Sequence, residues 1–236
     1  MRTKYTVIIA FAAILLTGAC SVLQKQTEIM GKDELEKIHP MLGLEETVAD
    51  NKYRQLVDSA MENPVDIDYQ ELRMVYARTS GYSPYTENED LEKIRKLLDS
   101  EQYEVASEVV KTVYHTQFHV PMFHFYAYVA WKESGNEKMA KLHSMIFNEL
   151  MQSILKSGDG KSAKTAWVVI NISEEYRVLE FLEMEMQSQS LVTENNRNYD
   201  RMEVLDENGE EDVVYFNIDI PFRELLKEEN EENVDE

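Results

Sequence analysis

Cysteine is almost absent from this chain of 236 residues: Cys20 is the only one, so no disulfide can form within the molecule. The fold must therefore be stabilised by its core. Basic residues are also few, because 24 Lys and Arg stand against 45 Asp and Glu and give a formal net charge of −21 at pH 7. Such a surface repels nucleic acids and anionic lipid headgroups, so we expect no nucleic acid partner. We interpret the acidity as a contribution to solubility rather than an acidic binding face.

The longest apolar run lies near the N-terminus, where Val7–Leu16 follows the cations Arg2 and Lys4. This run is too short to cross a bilayer. A charged start, a short apolar run and a stretch of small residues are the parts of a secretory signal peptide, which we predict over residues 1–19.

The sequence Leu15-Leu16-Thr17-Gly18-Ala19-Cys20 resembles a bacterial lipobox, in which the cysteine is diacylated and becomes the mature N-terminus. The resemblance implies lipid attachment at Cys20 and an exported protein anchored in the cell envelope, in the periplasm or at the outer membrane. Thr17 stands where a lipobox usually has leucine, so an ordinary signal peptide cut near Ala19 is the alternative. Either cleavage removes two cations and no acid, which moves the formal net charge from −21 to −23.

The rest of the chain divides by composition into a spacer, one domain and a tail. Residues 20–46 are polar and broken by Pro40 and Gly43, which is typical of a spacer between membrane and domain. Residues 47–227 have the pattern of a single domain, helical over 47–160 and α+β over 161–227. Six of the nine residues in 228–236 are acidic, and we expect this tail to be disordered.

Apolar residues at helical spacing predict six helices before residue 160. We place them near residues 47–62, 68–76, 89–98, 103–115, 121–134 and 137–156. Ala106 is followed by Ala140, and Val113 by Phe147, each at the 34-residue interval of tetratricopeptide repeats. We therefore expect the central helices to form tetratricopeptide-like hairpins. In that frame Met122, Phe125 and Val129 line an apolar concave groove, which either another part of the chain or a partner helix or peptide must cover.

The second part of the domain mixes strand and helix patterns. Asn208-Gly209 is the strongest hairpin signal in the chain. We predict a buried strand over Ala166–Ile172, a helix over Glu174–Leu182 capped by Ser173, a half-buried strand over Glu183–Gln189, a turn over Asn195–Asn198, strands containing 202–205 and 213–220, and a last helix from Pro221 to Leu226. The expected fold class is therefore α+β, with tetratricopeptide-like helical hairpins followed by a small antiparallel β-sheet module.

Several segments together resemble a bacterial lipoprotein family catalogued as a domain of unknown function, family 4919. The matching pieces span residues 65–222: Asp68-Tyr69, Leu72-Arg73, Tyr76, Tyr82-Ser83-Pro84-Tyr85, His124, His143, Ser157-Gly158-Asp159-Gly160-Lys161-Ser162, Glu174-Glu175-Tyr176, Asp200 and Tyr215-Phe216-Asn217-Ile218. The resemblance implies a secreted, lipid-anchored domain and supplies no reaction.

Gly160-Lys161-Ser162 is similar to the end of a phosphate-binding loop, but Leu155 occupies the place of the required first glycine. The segment also follows a predicted helix and precedes a predicted strand, the reverse of the order that such a loop needs. We therefore expect a helix-ending turn at Gly158 and Asp159, and no nucleotide.

Four histidines, His115, His119, His124 and His143, could be imagined as a zinc site. The predicted helix break at residues 117–121 removes the one-turn spacing of the first two. His124 and His143 fall on inward helix positions, so we interpret them as core histidines with hydrogen-bond partners and expect no metal or other cofactor.

Glu174, Glu175 and Tyr176, together with Asp200, form the best place for an enzyme hypothesis, since two carboxylates can act as acid and base. Acids in the first turn of a helix are, however, the ordinary complement to its dipole. Any site is expected at the seam between helices and sheet, and the candidates are His124, His143, Asp159, Glu174, Glu175, Tyr176 and Asp200. Two functions stay open: a non-catalytic envelope module that binds a protein or peptide, and a hydrolase or small-ligand protein with its site at this seam.

Overall fold

A computed structural model describes residues 47–85 and 89–232. The predicted signal peptide, Cys20, the spacer and the end of the tail lie outside these ranges, as does Thr86, which has capping-box spacing to Glu89 in the sequence. Within them the chain forms eight α-helices and four strands. The helices are α1 Val48–Glu62, α2 Tyr69–Tyr76, α3 Glu89–Asp99, α4 Tyr103–Gln117, α5 Pro121–Glu133, α6 Glu137–Leu155, α7 Ile172–Phe181 and α8 Asp219–Glu232; the strands are β1 Trp167–Val168, β2 Glu185–Glu194, β3 Arg197–Leu205 and β4 Glu211–Asn217. None of the helices in the described ranges is long and apolar enough to span a membrane.

Helices α1 and α2 each begin at a residue whose side chain accepts a hydrogen bond from an amide in the first turn. The Thr47 side chain accepts from the Asp50 amide, and the Asp50 carboxylate accepts from the Thr47 amide, which completes a capping box. Asp68 caps α2 by accepting from the Glu71 amide at 2.9 Å. Asn63 ends α1 as predicted. These caps place the buried face of α1 and α2 against α6, in a core that also includes Ile170.

Helices α3 to α6 pack in chain order, each against the next. Ala106 and Ala140, the small residues of the 34-residue interval, are both fully buried, so neighbouring helices can approach closely there. Gly135 has φ +82° and ends the α5 segment, and Asn136 caps α6. Helix α4 continues to Gln117, two residues beyond its predicted end.

The sheet has the order β1-β4-β3-β2, with β1 parallel to β4 and the other pairs antiparallel. The sheet is therefore mixed, and the predicted purely antiparallel module is wrong in this detail. Only Trp167–Val168 of the predicted strand 166–172 joins the sheet, and these two residues pair in parallel with β4. The chain then enters α7, capped by Asn171 rather than Ser173, and returns through β2 and β3 before β4 can pair with β1.

Strand β2 is longer and more exposed than the half-buried strand predicted at 183–189. It runs from Glu185 to Glu194 and is exposed along nearly its whole length, because it is the edge of the sheet. A register irregularity lies between Met186 and Ser188. Asn195 and Asn196, with φ of 53° and 59°, form a tight two-residue connection to β3.

The hairpin predicted at Asn208-Gly209 is confirmed and joins β3 to β4. Asp206 organises its loop by accepting from the amides of Asn208 and Glu210, and Gly209 has φ +78°. Helix α8 begins at Asp219, before Pro221, and extends to Glu232, which includes part of the segment expected to be disordered.

The turn after α6 brings two glycines against other parts of the domain. A Cβ at Gly158 would lie 2.2 Å from the Thr165 carbonyl oxygen, and a Cβ at Gly160 would lie 2.6 Å from the Trp167 ring. Gly160 also has φ +71°. The predicted role of this segment as a helix-ending turn is confirmed, and glycine is required because backbone and indole pack directly on it.

We predict that Gly160→Ala lowers the free energy of unfolding by about 2–5 kcal/mol, since it adds overpacking to an unfavourable φ. Gly209→Ala is the matched control, with a similar φ and nothing within 4 Å of the added carbon. It should cost only about 1–2 kcal/mol. Urea unfolding of the three proteins measures the difference, and equal losses would contradict the packing argument.

Candidate functional site

A fully buried ion pair between Arg73 of α2 and Glu174 of α7 lies at the seam between the helices and the sheet. Arg73 Nε donates to Glu174 Oε1 at 3.0 Å, and Nη2 donates to Oε2 at 2.6 Å. The two parallel bonds match the planar guanidinium to the carboxylate. Glu174 is therefore a structural partner of Arg73 and is not free to act on a substrate.

The Arg73–Glu174 pair also forms hydrogen bonds with backbone groups of β1 and of the segment after it. Arg73 Nη2 also donates to the Val168 carbonyl at 2.9 Å, and Glu174 Oε2 accepts from the Ile170 amide at 2.8 Å. On α6, Ser153 Oγ lies 3.4 Å from Arg73 Nη1. The pair thus connects α2, α6, β1 and α7, and its charges are compensated by a complete set of partners.

The loop after α2 packs against the start of α7. Tyr82 donates its hydroxyl to the Ile170 carbonyl at 2.6 Å, and its ring stands edge-on to Tyr76 with 5.7 Å between centroids. The Ile172 amide donates to the Pro84 carbonyl at 3.2 Å. Tyr82 therefore packs against the end of α2 and the segment that leads into α7, while Tyr85 is exposed.

Glu175, the next residue of α7, is fully buried, and neither of its carboxylate oxygens has a hydrogen bond in the described part of the chain. Its charged neighbour is Asp200 of β3. Gln189 of β2 donates to Asp200 Oδ2 at 2.7 Å and accepts from the Tyr176 hydroxyl at 3.0 Å. Glu175, Tyr176 and Asp200, three of the predicted residues, therefore belong to one cluster with Gln189.

Burial raises the pKa of Glu175 to about 9, and the negative charge of Asp200 adds to this effect. Glu175 is therefore protonated at neutral pH. A carboxyl that is buried beside a second acid is more stable in its neutral form.

His124 and His143 form a second cluster between α5 and α6, with 2.9 Å between their Nδ1 atoms. His124 Nε2 lies 2.9 Å from the Phe118 carbonyl oxygen, which can only accept, so this nitrogen carries the proton. In the neutral pair, His143 Nδ1 then donates to His124 Nδ1. His143 Nε2 is left as a buried acceptor, and no hydrogen-bond partner for it appears in the described residues.

Burial holds the pKa of all three inward-facing histidines below the usual range. The pKa of His119 falls to about 3 and that of His143 to about 4, while that of His124 is well below its ordinary value. His119 lies between Tyr53, whose hydroxyl is 3.4 Å from Nδ1, and the stacked ring of Tyr76. Over residues 47–85 and 89–232, no group of three or more His, Cys, Asp or Glu has the arrangement to hold a metal ion.

The candidate residues predicted at the seam therefore lie in separate parts of the structure. The carboxylate cluster is on α7 and β3, the histidine pair is inside the helical hairpin, and Asp159 is exposed and accepts from the Lys161 amide at 3.0 Å within its own turn. Arg73 and Gln189 belong to these clusters but were not among the residues predicted from the sequence. Arg73 at an inward position of α2 was the available signal, because a buried arginine requires an acidic partner.

An open cleft of about 510 Å³ lies between α3, α5 and α7. It is lined by Glu89, Leu91, Glu92, Arg95, Val120, Pro121, Met122, Tyr126, Ser173 and Arg177. On one side Arg95 donates two hydrogen bonds to the Glu92 carboxylate, at 2.9 and 3.0 Å, and one to Asp99 at 3.1 Å. The lining holds two acids and two bases, so it is far less acidic than the chain as a whole.

The predicted groove residues lie beside this cleft. Met122 lines it and is half-buried, as is Val129, whereas Phe125 is 43% exposed. The Phe125 ring is 6.1 Å from Phe147, which is 6.2 Å from Phe181 of α7. Helix α7 therefore covers part of the groove and leaves an apolar surface open.

Comparison with protein-family models matches residues 43–227 to the family described as "Domain of unknown function (DUF4919)". No curated protein and no solved structure matches the chain.

We predict that Arg73→Met and Glu174→Leu each lower the free energy of unfolding by about 3–5 kcal/mol, because each leaves a buried charge without its partner. The double variant should lose clearly less than the sum of the two. Lys52→Met is the control, since it breaks an exposed ion pair with Glu71 and should cost about 1 kcal/mol or less. Chemical unfolding tests this, and additive losses would contradict a coupled pair.

We predict that the free energy of unfolding of Glu175→Gln, relative to that of the original protein, is higher at pH 7 than at pH 5. The pKa of Glu175 is raised in the folded state, so the stability it contributes is complete below its unfolded pKa and is lost as pH rises toward about 9. Between pH 5 and 7, the stability of the variant should gain about 2–3 kcal/mol on that of the original protein. Unfolding of both proteins at the two pH values measures this, and a difference that does not change with pH would contradict a protonated Glu175.

Proposed function

This chain belongs to the DUF4919 family, and we propose that it is a non-catalytic, lipid-anchored envelope module that binds a peptide segment of another envelope protein in the cleft between α3, α5 and α7. The observation that carries the proposal is the cleft itself, with its apolar floor. Val120, Pro121 and Met122 supply that floor, and the exposed Phe125 extends it. Apolar pockets with a few polar groups are the usual form of a recognition site.

The chemistry of the lining favours a peptide over a metal or a nucleotide. Tyr126 and Arg177 offer a phenol and a guanidinium above the apolar floor, which can bind backbone carbonyls or a carboxylate of the bound segment. An apolar side chain of that segment would fill the floor. The balanced charge of the lining also permits an approach that the acidic surface elsewhere would oppose.

The anchor is the second part of the proposal. A diacylated Cys20 would hold the chain at a membrane, since each buried methylene contributes about 0.8 kcal/mol. The spacer 20–46 would then give the domain reach toward its partner. A secreted domain without lipid is the alternative that the atypical Thr17 leaves open.

A hydrolase site at Glu175 and Asp200 is the second candidate. Two neighbouring carboxyls, of which Glu175 has a raised pKa, favour it, because such pairs can act as acid and base. Against it, Glu175 is fully buried, so a substrate cannot touch its carboxyl in this conformation. If the protein hydrolyses a substrate and Asp200→Asn removes that activity, while no partner is captured at the cleft, this second function replaces the first.

We predict that a photo-crosslinking residue placed at Met122 captures the partner in intact cells, whereas the same residue at Val65, an exposed apolar position outside the cleft, does not. Arg177→Glu should abolish the adduct while the protein stays folded, because it places another negative charge at the cleft. Mass spectrometry of the adduct identifies the partner and the attached peptide. Equal yields at both positions, or an adduct unaffected by Arg177→Glu, would contradict binding in the cleft.

The anchor has a separate readout in the same cells. The Cys20→Ala form should move from the membrane to the soluble fraction and lose the adduct, while unchanged membrane association would contradict lipid attachment.

A further inference from the structure

Strand β2 presents a long open edge. It is the last strand of the sheet and, among the residues that the structure describes, pairs only with β3. No backbone hydrogen bond in the described ranges reaches its outer side. An open strand edge is a row of unpaired amides and carbonyls, which is a template for pairing with another strand.

The sequence of this edge lacks most of the usual protection. Natural edge strands carry lysine, proline or inward-pointing charges that block pairing. Between Glu185 and Glu194 there is no charged residue and no proline, in a chain with a net charge of −21. Leu191 is 54% exposed in the middle of this uncharged stretch. The edge is therefore the part of the acidic surface on which two copies can meet with the least repulsion.

We propose that β2 pairs with β2 of a second copy of this chain, antiparallel, about a two-fold axis at Leu191. The two sheets would join into one continuous sheet across the axis. This interaction surface is distinct from the proposed peptide cleft and does not depend on it.

The register follows from the irregularity in β2. The bulge at Gln187 interrupts the alternation of faces, so residues 188–194 form the regular part of the strand. Leu191 is the midpoint of this part. A two-fold axis there sets Ser188 opposite Glu194, Gln189 opposite Thr193, and Ser190 opposite Val192. Within each pair the two residues lie on the same face of the sheet, and the two exposed leucines cover each other.

Charge selects this arrangement over the parallel one. In the antiparallel register each Glu194 faces a serine, whereas parallel pairing in register would set Glu194 against Glu194. A two-fold axis also closes the assembly at two copies. Since a single pair of strands is smaller than a standard interface, we expect a weak dimer whose population rises with protein concentration and with salt, which screens the net charge.

The first test is sedimentation velocity of the full chain with Cys20→Ala, which removes the proposed lipid. We expect a concentration-dependent monomer–dimer equilibrium. Adding Leu191→Lys should remove the dimer, because it sets two cations against each other on the axis, and the exposed position keeps the fold intact. Val65→Lys, an equal change at another exposed apolar position, should leave the dimer unchanged.

The second test uses the absence of any other cysteine. With Cys20→Ala, Leu191→Cys has a single thiol, and directly opposite positions in an antiparallel pair have Cβ atoms about 4.5–5.5 Å apart. It should form a disulfide-linked dimer under mild oxidation, several-fold faster than Val65→Cys. A monomer at all concentrations, equal crosslinking at both positions, or equal loss of the dimer in both lysine variants would overturn the proposal.

Discussion

The ion pair between Arg73 and Glu174 is the constraint on which the arrangement of this domain depends. It joins two residues 101 positions apart and satisfies both charges in a place that water does not reach. Its further bonds to Val168 and Ile170 fix the chain where it leaves the sheet for α7. Removing either partner leaves the other uncompensated, so the pair enforces one geometry between the helices and the sheet.

The position of α7 determines the lining of the cleft between α3, α5 and α7. Glu174 is held in the interior by Arg73, and Ser173 and Arg177 of the same helix line the cleft. The cleft exists only while α7 stays in this place above α5. The same helix places Glu175 beside Asp200, which lowers the stability of the folded state at neutral pH.

Local signals predicted the elements well. Thr47, Asn63 and the Asn208-Gly209 pair act through their own neighbours, so the helix and hairpin ends that they mark could be read from sequence. Contacts between distant segments could not be read. The apolar run after residue 166 looks like a full strand, yet Asn171 caps a helix there and only two residues pair. The predicted site grouped His124 with Glu174 because both were expected at the seam between the helices and the sheet, although the order of segments along the chain does not place particular side chains together.

The exposure of β2 also depends on contacts between distant segments, which the local sequence does not predict. Its alternation of polar and apolar residues predicts one buried face, but the strand is exposed along nearly its whole length, and Leu191 remains exposed. Sequence periodicity reports which face of a strand is apolar. It does not report whether another element of the chain is there to cover it.

Hydrogen exchange at the Ile170 amide tests most directly whether the Arg73–Glu174 pair fixes α7 and its cleft to the helical core. This amide donates to the Glu174 carboxylate. Our account predicts that it exchanges only through global unfolding, with the same free energy as the buried amides of α6. Exchange of Ile170 and α7 at a clearly lower free energy, while α6 stays protected, would contradict it.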